Sequence, residues 1–464
     1  MERSFWLQQA LARDPGDAVE PLRGAQRADV CIVGGGYTGL WTALEIKRLE
    51  PACDVVVVES DICGGGASGR NGGFVLSWWA KLEKLVKRCG EDEGLRIAHA
   101  GADAVGEIDA FCAEHGIECD FRRAGWIWAA TSPAQVGSWQ PVLDALAARG
   151  IEGVYEPLDP EAMHARIDQA THLCGVFESG CATVQPALLA RGLRRVALEQ
   201  GVRIHEQSPM VRLDRDRPAT VRTPEGVVSA DHVVIATNAW AASIRELSRA
   251  VAVISSDIVA TAPAPEWLEQ IGWTRGESIS DSRQMVHYYQ ATPEGRLMFG
   301  KGGGSLAFHG RIGAGFDHDA RRAAGVAGFA HATVPAFADV EITHAWSGPV
   351  ERSYDGLPFF GPLGGSSHIS FAVGFSGNGV GPTRLAGKIL AELALGRDGE
   401  WSGCGLVGPP VLHFPPEPVR YLGGRAVRAA VARVDRADDL GRRAGWVSRR
   451  LAAFAPAGFQ QPKH

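Results

Sequence analysis

Gly34, Gly36 and Gly39 stand in the spacing G-x-G-x-x-G, and Glu59 follows about twenty residues after the last of them. In that pattern the first glycine makes a tight turn and the second lets backbone approach a pyrophosphate. The third lets a helix settle against a strand. An acid at Glu59 would hold ribose hydroxyls. A second cluster starts soon afterwards: "GGGASGRNGGF", Gly64 to Phe74, carries six glycines in eleven residues. Glycine loses the most backbone freedom on folding, so such a run marks backbone passing very close to something. A third cluster, "VGFSGNGVGPTRLAGKILAEL", sets Gly377, Asn378, Gly379 and Val380 just ahead of a helical pattern. Amide N–H groups and the positive end of a helix dipole gathered there favour negative charge. Between these clusters, "DSRQMVHYYQATPEGRLMFGKGGG" offers His287, Tyr288, Tyr289 and Lys301. These types can orient a substrate, move a proton or present positive charge. Taken singly, each also suits packing within a sheet.

The elements that must position these groups follow from periodicity. "ADVCIVGGGYTGLWTALEIKRLEPACDVVVVES" reads as a strand from Asp29 to Val33, a glycine turn, a helix, and a strand Val55 to Val58 ending on Glu59. "WWAKLEKLVKRCG" and "GADAVGEIDAFCAEHGI" are amphipathic helices, and Trp126 and Trp128 alternate as on a strand. "ATVQPALLARGLRRVALEQGVRIHE" gives a helix with Pro186 in its first turn and then a strand, and "DHVVIATNAW" gives a buried strand. From Val251 to about Ile312 the pattern is β-rich, and alternation sets His287 and Tyr289 on one face of a strand with Tyr288 on the other. Beyond Trp401 the chain becomes Pro-rich and then Arg/Ala-rich, expected as a peripheral extension with helices on the surface.

Composition narrows the class. A chain of 464 residues with 45% hydrophobic and 22% charged residues has room for two domains around ordinary cores. A net charge of −6 disfavours nucleic acid, which selects basic surfaces. The apolar runs are too short to span a bilayer, and the amino terminus lacks an export-signal pattern. Nine cysteines with no CxxC pair argue against a disulfide framework or a zinc site, and the cytoplasm is the expected compartment.

An acid after the second strand fits FAD or NAD alike. The glycine stretch after Glu59 favours FAD, because a flavin ring needs more backbone laid along it. "GASGRNGG" following such a unit resembles the D-amino-acid-oxidase-related flavoproteins, and within them the gamma-glutamylputrescine oxidase-type amine oxidases. The resemblance implies an α/β (α+β) fold: a Rossmann-like FAD-binding domain of the glutathione-reductase-2 type with an inserted antiparallel β-sheet substrate domain. It spans roughly residues 27 to 395. The FAD-binding domain is expected at 27–80, 170–245 and 335–395, the substrate domain at 81–169 and 246–334, and the extension at 396–464.

The same resemblance implies cofactor contacts from Tyr37 and Thr38 at the helix start, from Ser60, and from Ala67, Ser68, Arg70, Asn71, Gly72 and Gly73. Arg70 would supply positive charge and Asn71 hydrogen bonds. "VVIATNAW" would return Ala236, Thr237, Asn238 and Trp240 to the pyrophosphate, and the backbone at Val211 in "PMVRLD" would meet adenine. "WSGPVERSYDGLPFFG" resembles a family pattern through Trp346, Gly348, Asp355 and Pro358, with Ser353 replacing Thr. The loop Gly377 to Val380 resembles Gly-Phe-Ser-Gly-His-Gly, Asn378 replacing His, and would serve the flavin's pyrimidine edge.

Two departures bear on substrate. Gly381 stands where sarcosine oxidase-like members carry a carboxylate-binding lysine, which disfavours an α-carboxylate substrate. A flavin-linking cysteine has no obvious counterpart, so non-covalent FAD is expected. The function implied is oxidation of a primary or secondary amine to an imine, with oxygen as acceptor and Lys301 activating it. Trp78 and Trp79 could wall the pocket, and Arg283 and His309 are further candidates. Alternatives are a dehydrogenase serving a quinone or protein acceptor, a flavin-binding protein without turnover, and a nicotinamide enzyme. No metal, membrane or nucleic acid is expected, and the oligomeric state is left open.

Overall fold

Val30–Val33 and Val55–Val58 are apolar on both faces, a pattern stable only where both faces of a sheet are covered. In the computed structural model, which describes residues 3–456, these strands lie side by side in parallel, Val30 opposite Val55 and Val33 opposite Val58. The first of them runs from Gly24 to Val33 and pairs on its other edge, also in parallel, with Gly226–Ile235. Ile369–Val373 and Arg203–His205 extend this sheet at its two sides, and Phe359–Pro362 adds an antiparallel edge. The helices Tyr37–Leu49 and Pro382–Leu395 pack together, because a side chain on Gly387 would stand 2.7 Å from the Cβ of Trp41.

A second eight-stranded sheet runs in the order Ile342–Arg352, Ala252–Thr261, Leu297–Lys301, His287–Ala291, Ser278–Asp281, Trp126–Ala130, Cys174–Glu178, Glu156–Leu158. Its neighbours are antiparallel except the pair of Ser278–Asp281 with Trp126–Ala130. Two of its strands, Cys174–Glu178 and Ile342–Arg352, come from segments expected to serve the first sheet alone. The eleven-residue strand Ile342–Arg352 reaches the site at its carboxyl end, so it belongs to one sheet while serving the other's cavity. The β-rich reading of 251–312 agrees with the strands found there.

Helix Phe5–Arg13, to which the sequence pattern assigned no element, is capped by Ser4 and buries Phe5, Trp6, Leu7 and Ala10. At the other end, the N–H of Phe360 donates to the Leu406 carbonyl at 3.0 Å. Helix Val419–Asp439 docks through Asp435, whose carboxylate accepts the N–H groups of Gln284 and Met285 at 3.1 and 3.0 Å. Among the described residues no helix is long and apolar enough to cross a membrane.

Candidate active site

The carboxyl ends of the first sheet's parallel strands face one surface of the second sheet across a cavity of about 450 Å³. Gly34, Gly36, Tyr37 and Thr38 line it, with Glu59 and Ser60 from the next strand's end. Gly34 has φ +115° and no room for a side chain beside the Ala236 carbonyl, so the turn requires glycine. A Cβ on Gly36 would lie 2.9 Å from Ser68 Oγ, which accepts the N–H of Tyr37 at 2.9 Å and so caps the helix start. Gly39 is outside the cavity; it lets the helix settle against the Gly34 carbonyl. The Glu59 carboxylate accepts the N–H groups of Gly35 and Asp61 at 2.7 and 2.9 Å, while burial raises its pKa.

The loop from Gly66 to Gly72 forms one side, through Gly66, Ala67, Ser68, Arg70, Asn71 and Gly72. Five consecutive carbonyls in and after it are tied down from four separate segments, the amino-terminal one supplying two of the donors. Gly69 O accepts from Ser4 Oγ at 2.5 Å, Arg70 O from Trp346 Nε1 at 2.9 Å, and Asn71 O from Trp6 Nε1 at 3.0 Å. Gly72 O accepts from Gln290 Nε2 at 2.5 Å, and Gly73 O from the N–H of Val184 at 2.8 Å. Gly73 itself, with φ +75°, lies off the cavity and turns the chain.

Arg70 and Asn71, both in the cavity lining, also make contacts within the protein. The Arg70 guanidinium donates to the carbonyls of Gly65 and Ser347 at 2.9 and 3.1 Å and faces Asp317 at 3.4 Å. The Asn71 amide donates to the Ala67 and Ser68 carbonyls and accepts from the N–H of Gly73. Both side chains brace the loop.

The opposite side comprises Ala236, Thr237, Asn238 and Trp240, with Gly348, Gly377, Asn378, Gly379 and Val380. Two non-glycine residues here, Asn238 at φ +49° and Ser376 at φ +58°, hold the left-handed conformation that costs ordinary residues about 1–3 kcal/mol. Beside them Glu351, also in the cavity wall, accepts the N–H groups of Gly374 and Phe375, each at 3.0 Å. Burial pushes its carboxyl up to about 7. Asp355 is not in the wall: it pairs with Arg88 at 3.2 Å and accepts the N–H of Leu357 to close its own turn. Val211 is 64% exposed, and Pro209 and Met210 take the lining position instead.

The second sheet contributes Ile254, Ser255, Ser256, Ser280, Val286 and Tyr288. Tyr288 sits between two glycines; a Cβ on Gly72 would come within 2.8 Å of its ring, and Gly300 likewise has no space. Its hydroxyl meets Ser256 Oγ at 2.7 Å, and burial raises its pKa. Ser280 Oγ accepts from Trp126 Nε1 at 2.9 Å.

The register His287 to Lys301, Tyr288 to Gly300 and Tyr289 to Phe299 separates the four expected catalytic residues. Only Tyr288 reaches the cavity. His287 is sealed on the other face, its Nδ1 3.4 Å from Asp281, with burial and nearby Arg283 and Lys301 depressing its pKa. Tyr289 stacks on Phe299 at 5.2 Å and its hydroxyl meets His172. Lys301 follows the same alternation, with Nζ 5.2 Å from the Phe329 ring centre. Paired strands oppose like faces, so the oxygen-activating place assigned to Lys301 is not where it lies. Trp78 and Trp79 fill core, Arg283 pairs with Asp281 and Asp439, and His309 is outside the cavity.

These features fit an extended dinucleotide. Glycines clear a backbone bed, two helices begin at its wall, and an acid stands at the end of the second strand. Comparisons with known proteins agree. The chain is 29% identical over 403 residues to the gamma-glutamylputrescine oxidoreductase of Escherichia coli, covering 86% of this chain and 89% of that protein. It is 27% identical over 385 residues to the probable oxidoreductase OrdL of Haemophilus influenzae, covering 82% and 85%. The structure of glycine oxidase from Geobacillus kaustophilus superposes with a TM-score of 0.64 at 23% identity, over 81% of this chain and 96% of that one. The FAD dependent oxidoreductase (DAO) model matches residues 29–393, so the chain belongs to that family, whose cofactor is FAD.

Proposed function

We propose that the protein oxidises a primary or secondary amine to an imine, which water then hydrolyses. The carrying observation is the two-sided cavity, with a glycine-cleared bed on one sheet and a wall of Tyr288, Ser256, Ser280 and Val286 on the other. In this reading the first sheet is a Rossmann-type unit holding FAD without a covalent link, and the second is an inserted substrate domain. When bound, FAD supplies a two-electron acceptor that takes a hydride from the carbon bearing the amine.

The chain's own residues do the rest. Tyr288, fixed between Gly72 and Gly300 and by Ser256, gives a rigid surface against which the amine is oriented. The apolar part of the wall lowers an amine's pKa by desolvation, keeping its lone pair available. The helix starts at Tyr37 and Pro382 favour negative charge along the bed. The relative named for gamma-glutamylputrescine makes a polyamine derivative a reasonable substrate class for this chain.

Oxygen, giving hydrogen peroxide, is the acceptor in the leading reading. The place of Lys301 on the far face favours a second one, a dehydrogenase passing electrons to a quinone or partner protein. Anaerobic bleaching of flavin absorbance across an amine panel tests the function, and peroxide release in air separates the acceptors. A holoprotein that no amine bleaches would sink the proposal and leave a flavin-binding protein without turnover.

A further inference from the structure

Helix Val419–Asp439 lies wholly beyond residue 393, where the family match ends. A helix that docks for stability alone lays an apolar stripe on its host. This one buries only Ala430 and Val431, and its polar side chains carry the attachment. Asp435 accepts the N–H groups of Gln284 and Met285 at 3.1 and 3.0 Å, one with each carboxylate oxygen. Arg428 Nε donates to the Gly303 carbonyl at 2.6 Å, and Asp439 pairs with Arg283 at 2.7 Å. Met285 is buried among Ala430, Val431 and, from the following helix Trp446–Ala452, Ala452.

These attachments converge on one place. The strands His287–Ala291 and Leu297–Lys301 form a hairpin whose open end is made by Val286 on one side and by Gly302 and Gly303 on the other. All three residues line the cavity. The N–H of Gly302 donates to the Val286 carbonyl at 3.0 Å and closes that end. Gly302, Gly303 and Gly304 follow one another with no side chain to anchor them, and glycine backbone has the most freedom to move. The hold on this stretch therefore comes from its surroundings. Gly304 donates its N–H to the Ser255 carbonyl at 2.9 Å, and the carboxyl-terminal helix grips the segments on both sides of the hairpin's open end.

We propose that Arg428 and Asp435 are positioning residues: through them the carboxyl-terminal helix fixes Val286, Gly302 and Gly303, and so sets how large an amine fits beside Tyr288. This role rests on the amine-oxidising reading of the same cavity. It gives the extension a part in selecting the substrate, although none of its side chains lines the site. Released from the helix, the glycine run lets the wall widen. Small amines then lose their close fit and bulky ones gain room.

The test uses full-length holoprotein carrying Asp435→Ala or Arg428→Met, with Arg433→Ala on the exposed side of the same helix as control. Hydrogen exchange read by mass spectrometry should show the backbone amides of 284–286 and 302–304 exchanging about tenfold faster in the first two and unchanged in the control. Across primary and secondary amines of graded bulk, both variants should raise KM for the smallest good substrate about tenfold, with kcat within about threefold and flavin content native. The ratio of kcat/KM for bulky over small amines should rise about tenfold. Arg428→Lys, which keeps a donor for the Gly303 carbonyl, should restore part of the native ratio. An unchanged ratio in both variants overturns the proposal. So does a lower thermal midpoint with exchange and KM unchanged, which makes the helix a structural cover only. An equal change in Arg433→Ala overturns it too, as does loss of flavin without a change of ratio, which assigns the extension to the cofactor. If no amine bleaches the flavin, the functional proposal fails, while the exchange rates still decide whether the helix holds the wall.

Discussion

Replacing Gly36 by valine tests the cofactor bed most directly. Its backbone angles, φ −86° and ψ −177°, are extended, so a β-branched residue adopts them without strain. Space is what valine lacks. Its Cβ would lie 2.9 Å from Ser68 Oγ, and relieving that contact swings the hydroxyl off the N–H of Tyr37. Losing one capping hydrogen bond costs about 1 kcal/mol. The two methyls must then fit in a wall shaped to admit a ligand, an overpacking worth about 1–3 kcal/mol against the bound state. That overpacking alone weakens FAD binding by about 5- to 150-fold, while the lost cap lowers the folding stability of the apoprotein. Flavin titration of apoprotein by fluorescence quenching measures it, with the apoprotein's thermal midpoint as control. The midpoint should reflect only the lost cap. An affinity within threefold of native would refute the placement of Gly36 against the cofactor.

Four further outcomes follow from the geometry. Lys301→Met should leave both flavin reduction and reoxidation within about threefold of native, because the residue sits across the sheet; a tenfold slower reoxidation in stopped-flow would return it to the site. Trp6→Phe removes the indole N–H that Asn71 O accepts and leaves a gap where the larger ring was buried, and should cost about 1–3 kcal/mol of unfolding stability by denaturant titration, with looser flavin retention. Tyr288→Phe, losing the contact with Ser256, should lower kcat/KM by roughly tenfold or less while flavin content holds; a loss above a thousandfold would make the hydroxyl a chemical participant. Glu351 has a folded pKa of about 7, above its ordinary 4.5, so the unfolded chain releases that proton first and stability falls as pH rises between those values. Glu351→Gln should remove this slope, matching native near pH 5 and exceeding it by about 1–3 kcal/mol near pH 8.

Local chemistry was the legible part of this site. Gly34, Gly36 and Glu59 were marked by their spacing and the loop around Ser68 by its glycines and by family resemblance, and all of them line the cavity. The alternation of His287, Tyr288 and Tyr289 was also visible, since a strand's period is two. Lys301 was misjudged because its face depends on which strand lies opposite, a fact of pairing at a distance. Val211 missed by one residue, enough to exchange a lining position for an exposed one. Arg70 and Asn71 line the cavity, and their bracing contacts to carbonyls of the folded loop could not be read from residue type. Ser4, Trp6, Gln290 and Trp346 were invisible as supports, being 65 to 276 residues from the carbonyls they satisfy.

A loop whose carbonyls are fastened from the amino-terminal helix, the second sheet and a neighbouring ribbon cannot relax in one direction alone. Tightness of cofactor retention and seating of the first dozen residues thus become one thermodynamic quantity. Flavin colour should report how well the amino-terminal helix is docked, and deleting that helix should yield pale protein although none of its residues lines the cavity.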